Sequence, residues 1–324
     1  MSGNQATAAH EPLSRNAPVE AYRALFAAWA RLEGEPAPAV ARSLEQVLAL
    51  FAADRGRYGD VLEPSLSWEG RQGREGARCT QRRLSYALPG FRADPEGGAL
   101  ALRALCAPFG EAVLAQVERV ARAARHPVVA QPLFGLADDG PGGLRLKLYL
   151  QLRDGAGAAG VALVERLLGA RLAGTLPARG ALHLVGLDLG PHGQLVGAKL
   201  YVRHVRVGLR AAMEQVGPAA LFEALAAAGC RQLREVLGIH RIDGPEAAGV
   251  AQAVEIDVAL EDTGLSWGTL RTLLPAAAHV LGEGGALARL EAEGARLVPR
   301  RLSTPVGRDD KLNLYYVLAT EIAR

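Results

Sequence analysis

Leu144-Arg145-Leu146-Lys147-Leu148-Tyr149-Leu150 alternates polar and apolar residues without a break. A period of two marks a half-buried strand, with Arg145, Lys147 and Tyr149 on one face and the leucines on the other. The pattern returns as Ala198-Lys199-Leu200-Tyr201-Val202 and as Lys311-Leu312-Asn313-Leu314-Tyr315-Tyr316-Val317. Lys147 and Lys199 are 52 positions apart, and Lys199 and Lys311 are 112 apart, twice 56. The intermediate step falls near residue 255, where Val254-Glu255-Ile256-Asp257-Val258 alternates again. One step before Lys147 lies Arg82-Arg83-Leu84-Ser85-Tyr86-Ala87-Leu88. Five such strands, spaced by roughly 50 to 60 residues, indicate an internal repeat.

Each strand has a hairpin partner before it. These are Leu66-Ser67-Trp68-Glu69, Pro132–Leu136, Leu182–Asp188, Val236–Ile242 and Arg296–Leu302. Turn-rich stretches separate the members of each pair, such as Asp138-Asp139-Gly140-Pro141-Gly142-Gly143. Between the hairpins, apolar residues recur at three and four: Val19, Tyr22, Phe26 and Trp29; Val40, Leu44, Val47, Leu48 and Phe51; Val113, Leu114, Val117 and Val120. Val161, Val164, Leu167 and Leu168 follow, then Leu209, Met213 and Val216, then Leu221 and Leu225, and lastly a stripe from Leu270 to Leu290. The order is helix, helix, strand, strand, five times over.

Ten antiparallel strands need closure or cover. Their leucine faces match amphipathic helices outside, so the Lys, Arg, Tyr, Asn, Glu and Asp faces point inward. The expected fold is α+β: five ααββ repeats forming a ten-stranded antiparallel β-barrel surrounded by helices. A closed barrel of that size holds a lumen. The alternative is an ordinary open sheet with Lys-x-Tyr faces in solvent, which leaves the shared arrangement of five hairpins without a reason. Residues 1–16 read as a disordered tail with no apolar signal segment, and 17–324 as one barrel domain.

Composition narrows the function. The chain has 324 residues, 49% hydrophobic, with a net charge of +3 and no apolar run long enough for a membrane span. Basic residues are scattered among acidic ones, which argues against a nucleic-acid partner. Cys79, Cys106 and Cys230 lack metal-ligand spacing and fit a reduced, cytoplasmic setting. The 37 basic residues include only three lysines, the three in the repeated strands; all others are arginine. A lysine kept against that bias supplies a compact ammonium rather than a planar fork.

Lys147, Lys199, Lys311 and Arg83 would place several cations in one cavity. Buried cations need anionic partners. Glu69, Glu255 and Asp257 supply some, and an anionic ligand such as a diphosphate supplies the rest. Tyr149, Tyr201 and Tyr315 share these faces, where ring faces stabilise a developing cation and exclude water. No Asp-rich helix for metal-held diphosphate is present, and Asp138-Asp139 and Asp309-Asp310 are ordinary turn chemistry. Neither is there a P-loop, a helix-opening GxGxxG, an HExxH or a nucleophile elbow.

Five ααββ units with inward Lys-x-Tyr strands resemble the ABBA-fold prenyltransferases, whose architecture is also called the PT barrel. Within that fold the chain looks most similar to the cyanobactin prenyltransferases of RiPP biosynthesis, which modify ribosomal macrocyclic peptides. The carrying segments are Ser67-Trp68-Glu69-Gly70, Leu144–Tyr149 and Lys199-Leu200-Tyr201. The resemblance implies a cytoplasmic transferase that moves a dimethylallyl or geranyl group from its diphosphate onto a peptide side chain. It implies Glu69 as the catalytic acid or base at the acceptor, and Arg83, Lys147, Lys199, Lys311 and Asn313 as diphosphate ligands. Tyr149, Tyr201 and Tyr315 become the tyrosine shield, and a Mg2+ ion accompanies the diphosphate without a protein cage. Glu255 and Asp257 depart from the pattern, and a cationic acceptor is one explanation. Trp68 and Gly238 complete the acceptor set; Gly238 either leaves room for a longer isoprenoid or marks a bulge. The alternatives are a small-molecule indole or phenol prenyltransferase, and a non-catalytic barrel that binds isoprenyl diphosphate.

Overall fold

In the computed structural model, the described residues are 17–33, 36, 38–54, 62–70, 77–138, 144–172, 176, 180–190, 192–217, 220–242, 254–259, 263, 272, 288–289, 292, 297–307 and 311–318. The expected tail at 1–16 and the apolar residues of the stripe from Leu270 to Leu290 lie outside them.

The ten strands are β1 (Leu62–Gly70), β2 (Ala77–Ala87), β3 (Val129–Asp138), β4 (Leu144–Leu152), β5 (Ala181–Leu189), β6 (Leu195–Gly208), β7 (Gln232–Ile242), β8 (Glu255–Ala259), β9 (Leu297–Pro305) and β10 (Lys311–Leu318). Each pairs antiparallel with its chain neighbours, and β1 pairs with β10, so the sheet closes into a barrel with no free edge. The alternating pattern decides which face is which. Leu146, Leu148 and Leu150 of β4 are fully buried on the outer face, and Lys147 and Tyr149 face the lumen. Burying each such leucine contributes about 1.5–3 kcal/mol before the entropy of ordering is set against it.

Helices cover the outside. They are α1 (Ala17–Glu33), α2 (Pro38–Asp54), α3 (Pro95–Cys106), α4 (Glu111–Ala124), α5 (Gly157–Leu168), α6 (Leu209–Val216) and α7 (Ala220–Ala227). The stripe Val113, Leu114, Val117, Val120, Ala121 and Ala124 lays α4 on β3 and β4. Buried hydrogen bonds tie the layers together. Tyr22 Oη donates to the Leu62 carbonyl at 2.9 Å, and Ser43 Oγ donates to the Leu105 carbonyl at 2.8 Å.

The helical layer is less regular than the repeat suggests. Among the described residues one helix, α5, lies between β4 and β5. It stops at Gly169, whose φ of 67° supplies the left-handed C-terminal turn. In contrast, α3 was not legible as an apolar stripe, because Gly97, Gly98 and several alanines blur it. Asp94 caps it by accepting the Gly97 N–H at 2.9 Å, and Pro95 follows at the first turn.

Candidate active site in the barrel lumen

Antiparallel partners share a face, so register sorts the lumen into layers. Nearest the β3–β4 and β5–β6 connections stand Lys147 and Asp188, which are register partners, and Lys199 beyond them. Lys311 joins this layer from β10. Lys147 Nζ lies 2.9 Å from Asp188 Oδ1. Glu255 is shared: its Oε2 is 3.3 Å from Lys199 Nζ and its Oε1 is 3.3 Å from Lys311 Nζ.

Arg83 enters the same lumen from β2, opposite Ser65. It is 8% exposed, and its Nε and Nη2 are buried without a hydrogen-bond partner among the described residues. The Tyr315 ring stands beside it, with Cζ 5.3 Å from the centroid. A guanidinium cannot shed its proton to escape this environment. Four cations thus face two carboxylates, Asp188 and Glu255, among the described residues. The surplus is positive and lies on the inward face of the barrel, as an anion site requires.

The ionisations agree. Burial, with help from Lys199 and Arg83, lowers the Lys147 ammonium to about 8, although Asp188 partly offsets this. Burial likewise lowers Lys199. Burial alone would raise Glu255, but Lys199, Lys311 and Arg83 outweigh it and hold the carboxyl at about 2. An anion that needs a charged Lys147 therefore binds best below pH 8. Its affinity is expected to fall up to tenfold per pH unit above that value. Titrating inorganic diphosphate into the protein from pH 7 to 10 checks this. Lys147→Arg, which cannot titrate in that range, should flatten the alkaline fall.

One layer deeper lie the three tyrosines. Tyr149 and Tyr201 meet edge to face, centroids 6.4 Å apart at 63°. Leu184, Leu237 and Ile239 pack against this pair. Burial raises the phenols of Tyr149, Tyr201 and Tyr315, so they stay protonated.

The far end of the lumen is charged again. Arg301 Nε lies 2.6 Å from Asp257 Oδ1, and its Nη2 lies 3.4 Å from Glu235 Oε1. Arg203 continues the chain, with Nε 2.5 Å from Glu235 Oε2 and Nη1 2.7 Å from Asp154 Oδ1. Gln131 donates to Gln151 at 2.7 Å beside them. Glu63 stands on this side of the tyrosines, opposite Ser85, and makes no hydrogen bond or ion pair with any described residue. Burial raises its pKa, with Arg301 opposing.

Several sequence expectations take a different place. Glu69 lies opposite Lys311 in register, at the lysine end of β1, and its side chain is outside the described set. Trp68 is opposite Leu312, a fully buried residue of the outer core, so its backbone position is one step out of phase with the lumen. Gly238 pairs with Val202 and Ile256, which also places it on the outer face. The β7 residues in phase with Tyr201 and Glu255 are Leu237 and Ile239 instead. Asn313 is 1% exposed and ties the wall, with Ser67 donating to its Oδ1 and its Nδ2 donating to Ser303 at 3.3 Å. Asp257 and Glu255 meet cations of the chain itself.

Asp188, Glu63, Arg301, Glu235 and Arg203 also line the lumen and carry no sequence motif of their own. Hairpin pairing could have delivered Asp188, since a lumen residue of β5 must face Lys147. Pro64 hid Glu63: it interrupts the strand pattern, yet the strand continues to Leu62.

No protein-family model matches the chain, and no curated protein matches it. Solved structures do. The prenyltransferase PriB in its apo form superposes with a TM-score of 0.66 at 18% identity, covering 92% of this chain and 95% of that one. The 6-dimethylallyltryptophan synthase from Micromonospora olivasterospora, in complex with DMASPP and Trp, gives 0.64 at 16% identity over 94% of this chain and 97% of that one. NotF, in complex with brevianamide F and DMSPP, gives 0.53 at 14% identity over 96% of each chain. The likeness is one of fold: the chain has the ABBA barrel architecture.

Proposed function

We propose that this chain is a prenyltransferase that moves an allylic isoprenoid from its diphosphate onto an acceptor held in the barrel. The observation that carries the reading is Arg83, a buried guanidinium with two nitrogens unpartnered among the described residues, in electrostatic reach of Lys147 and Lys199 and beside the Tyr315 ring. A dimethylallyl or geranyl diphosphate satisfies each part, its anion at the cations and its apolar chain at the rings. PriB and the tryptophan synthases share the fold, which supports the same assignment.

The chemistry follows from the layers. The carbon–oxygen bond to the diphosphate breaks heterolytically, and the electron pair leaves with the diphosphate. Arg83, Lys147 and Lys199 stabilise that growing charge with donors already in place. Tyr149, Tyr201 and Tyr315 surround the allylic cation and keep water away. A nucleophilic atom of the acceptor, held on the far side, forms the new bond. Glu63, a carboxylate with a raised pKa and no hydrogen bond to a described residue, takes the proton that the acceptor releases. The described residues offer no cage for Mg2+, and an ion carried in on the diphosphate needs none. Among the described residues no three metal-ligating side chains converge, and the two carboxylates of the lysine layer each hold a lysine. No step is assigned to a metal.

The acceptor is a peptide side chain, as the resemblance to cyanobactin enzymes implies, or a small aromatic molecule. The ring of Arg203, Glu235, Arg301 and Asp257 favours the second, because a polar, charged wall suits a compact zwitterion better than a macrocycle. Mass spectrometry separates these readings. Dimethylallyl and geranyl diphosphates are incubated with free tryptophan, free tyrosine and cyclic peptides bearing Tyr, Trp, Arg, His, Ser or Thr. One prenyl mass gained by a free amino acid supports the small acceptor, and the same gain on a peptide supports the first reading. Tight diphosphate binding without any product would make the barrel a carrier.

A further inference from the structure

Two glycines of the lumen wall are extended, not left-handed, so backbone conformation does not require them. They are Gly135 on β3 and Gly186 on β5, the strands on either side of β4. Space is what they provide. A Cβ at Gly186 would sit 2.6 Å from Tyr149 Cε1 and 2.7 Å from its Cδ1. A Cβ at Gly135 would sit 3.0 Å from Tyr149 Cε2 and 3.1 Å from Lys147 Cβ. The two edges of one ring thus rest over two glycines, one on each neighbouring strand. In register Gly135 faces Lys147, and Gly186 faces Tyr149 on one side and Lys199 on the other. Glycine weakens a strand interior and is kept there when something approaches closely.

We infer that Gly135 and Gly186 form a seat that holds the Tyr149 ring flat across β4, and that this seat sets the width of the lumen where the isoprenoid chain lies. Both are positioning residues acting through Tyr149. Lying flat, the ring turns a face to the lumen, the orientation that stabilises a cation. Tyr201 stands edge-on to it at 6.4 Å and blocks a swing toward β6. A methyl group at 186 therefore drives the ring toward the barrel axis, shortening the room for the donor chain while leaving the lysine layer as it is. The inference rests on the reading of the lumen as an isoprenoid chamber, but the ring's seat exists without any ligand.

The experiment has two arms. The ligand-free crystal structure of Gly186→Ala should have the Tyr149 ring lifted from the wall; a ring in its original place overturns the proposal whatever the protein binds. Calorimetry then compares inorganic diphosphate with the dimethylallyl and geranyl thiolodiphosphates. Gly186→Ala should bind inorganic diphosphate within about twofold of the parent, lose about threefold for the dimethylallyl analogue and tenfold or more for the geranyl one. Gly186→Ala/Tyr149→Leu, which removes the collision, should regain most of the geranyl affinity. Equal losses for all three ligands, or no recovery in the double variant, would overturn the proposal. Failure of the parent protein to bind either thiolodiphosphate would sink the chamber reading and leave the crystallographic arm to decide the seat.

Discussion

Arg83→Met is expected to make the free protein more stable and to remove donor binding. The buried guanidinium leaves Nε and Nη2 unpaired among the described residues and sits beside two lysines. Unsatisfied buried donors cost about 1–3 kcal/mol, and methionine fills similar volume without them. Losing the Tyr315 contact and the attraction of Glu255 offsets part of the gain. The net should be a rise of a few degrees in Tm, by calorimetry without ligand, at ~2–4 °C per kcal/mol. Donor affinity moves the other way. Truncating a buried charge that faces an anion costs about 2–5 kcal/mol, or about 30- to 5,000-fold in Kd. Opposite signs in one variant mark a residue kept for binding at the expense of stability. The Lys147 inflection near 8 should also move up, since Arg83 is one of the charges that lower it.

Glu63→Gln is expected to lower turnover about 10²- to 10⁴-fold with donor affinity little changed. The amide keeps the shape and cannot take a proton. Glu63 lies past the tyrosines from the lysines, where an acceptor would stand, and burial has already raised its pKa. Activity in the parent should therefore rise with pH through a value above the ordinary carboxylate range, and fall again as Lys147 deprotonates above about 8. Glu69→Gln should act differently. Its backbone position is opposite Lys311, at the lysine end, so donor affinity and not the acid limb of the profile should respond. The two profiles side by side, with Kd for the donor, decide between the carboxylates. Loss of the acid limb in Glu69→Gln alone would assign the proton to Glu69 instead.

Much of the barrel was legible because a period-two pattern writes each strand directly. Each of the ten strands holds a run read from the sequence to within one residue at an end, and the three lysines mark the lumen face. What sequence periodicity cannot carry is the partner across the sheet. Asp188 and Glu255 belong with lysines because register brings them there, and no local pattern states that pairing. Gly238 shows the same limit from the other side. Its face depends on the phase of β7, and pairing with Val202 turns it outward. The seat of Tyr149 was hidden for a related reason: Gly135 and Gly186 look like weak strand residues until the ring between them is seen. Helix α3 escaped because an alanine-rich helix with two glycines carries little stripe.

On the proposed function, the cation layer binds the diphosphate of an allylic isoprenoid. Calorimetric titration of dimethylallyl thiolodiphosphate into the parent protein and into Arg83→Met tests it most directly. One-to-one binding to the parent is expected, weakening above pH 8 and lost in the variant. Absence of binding to the parent, or equal binding to both proteins, would contradict it.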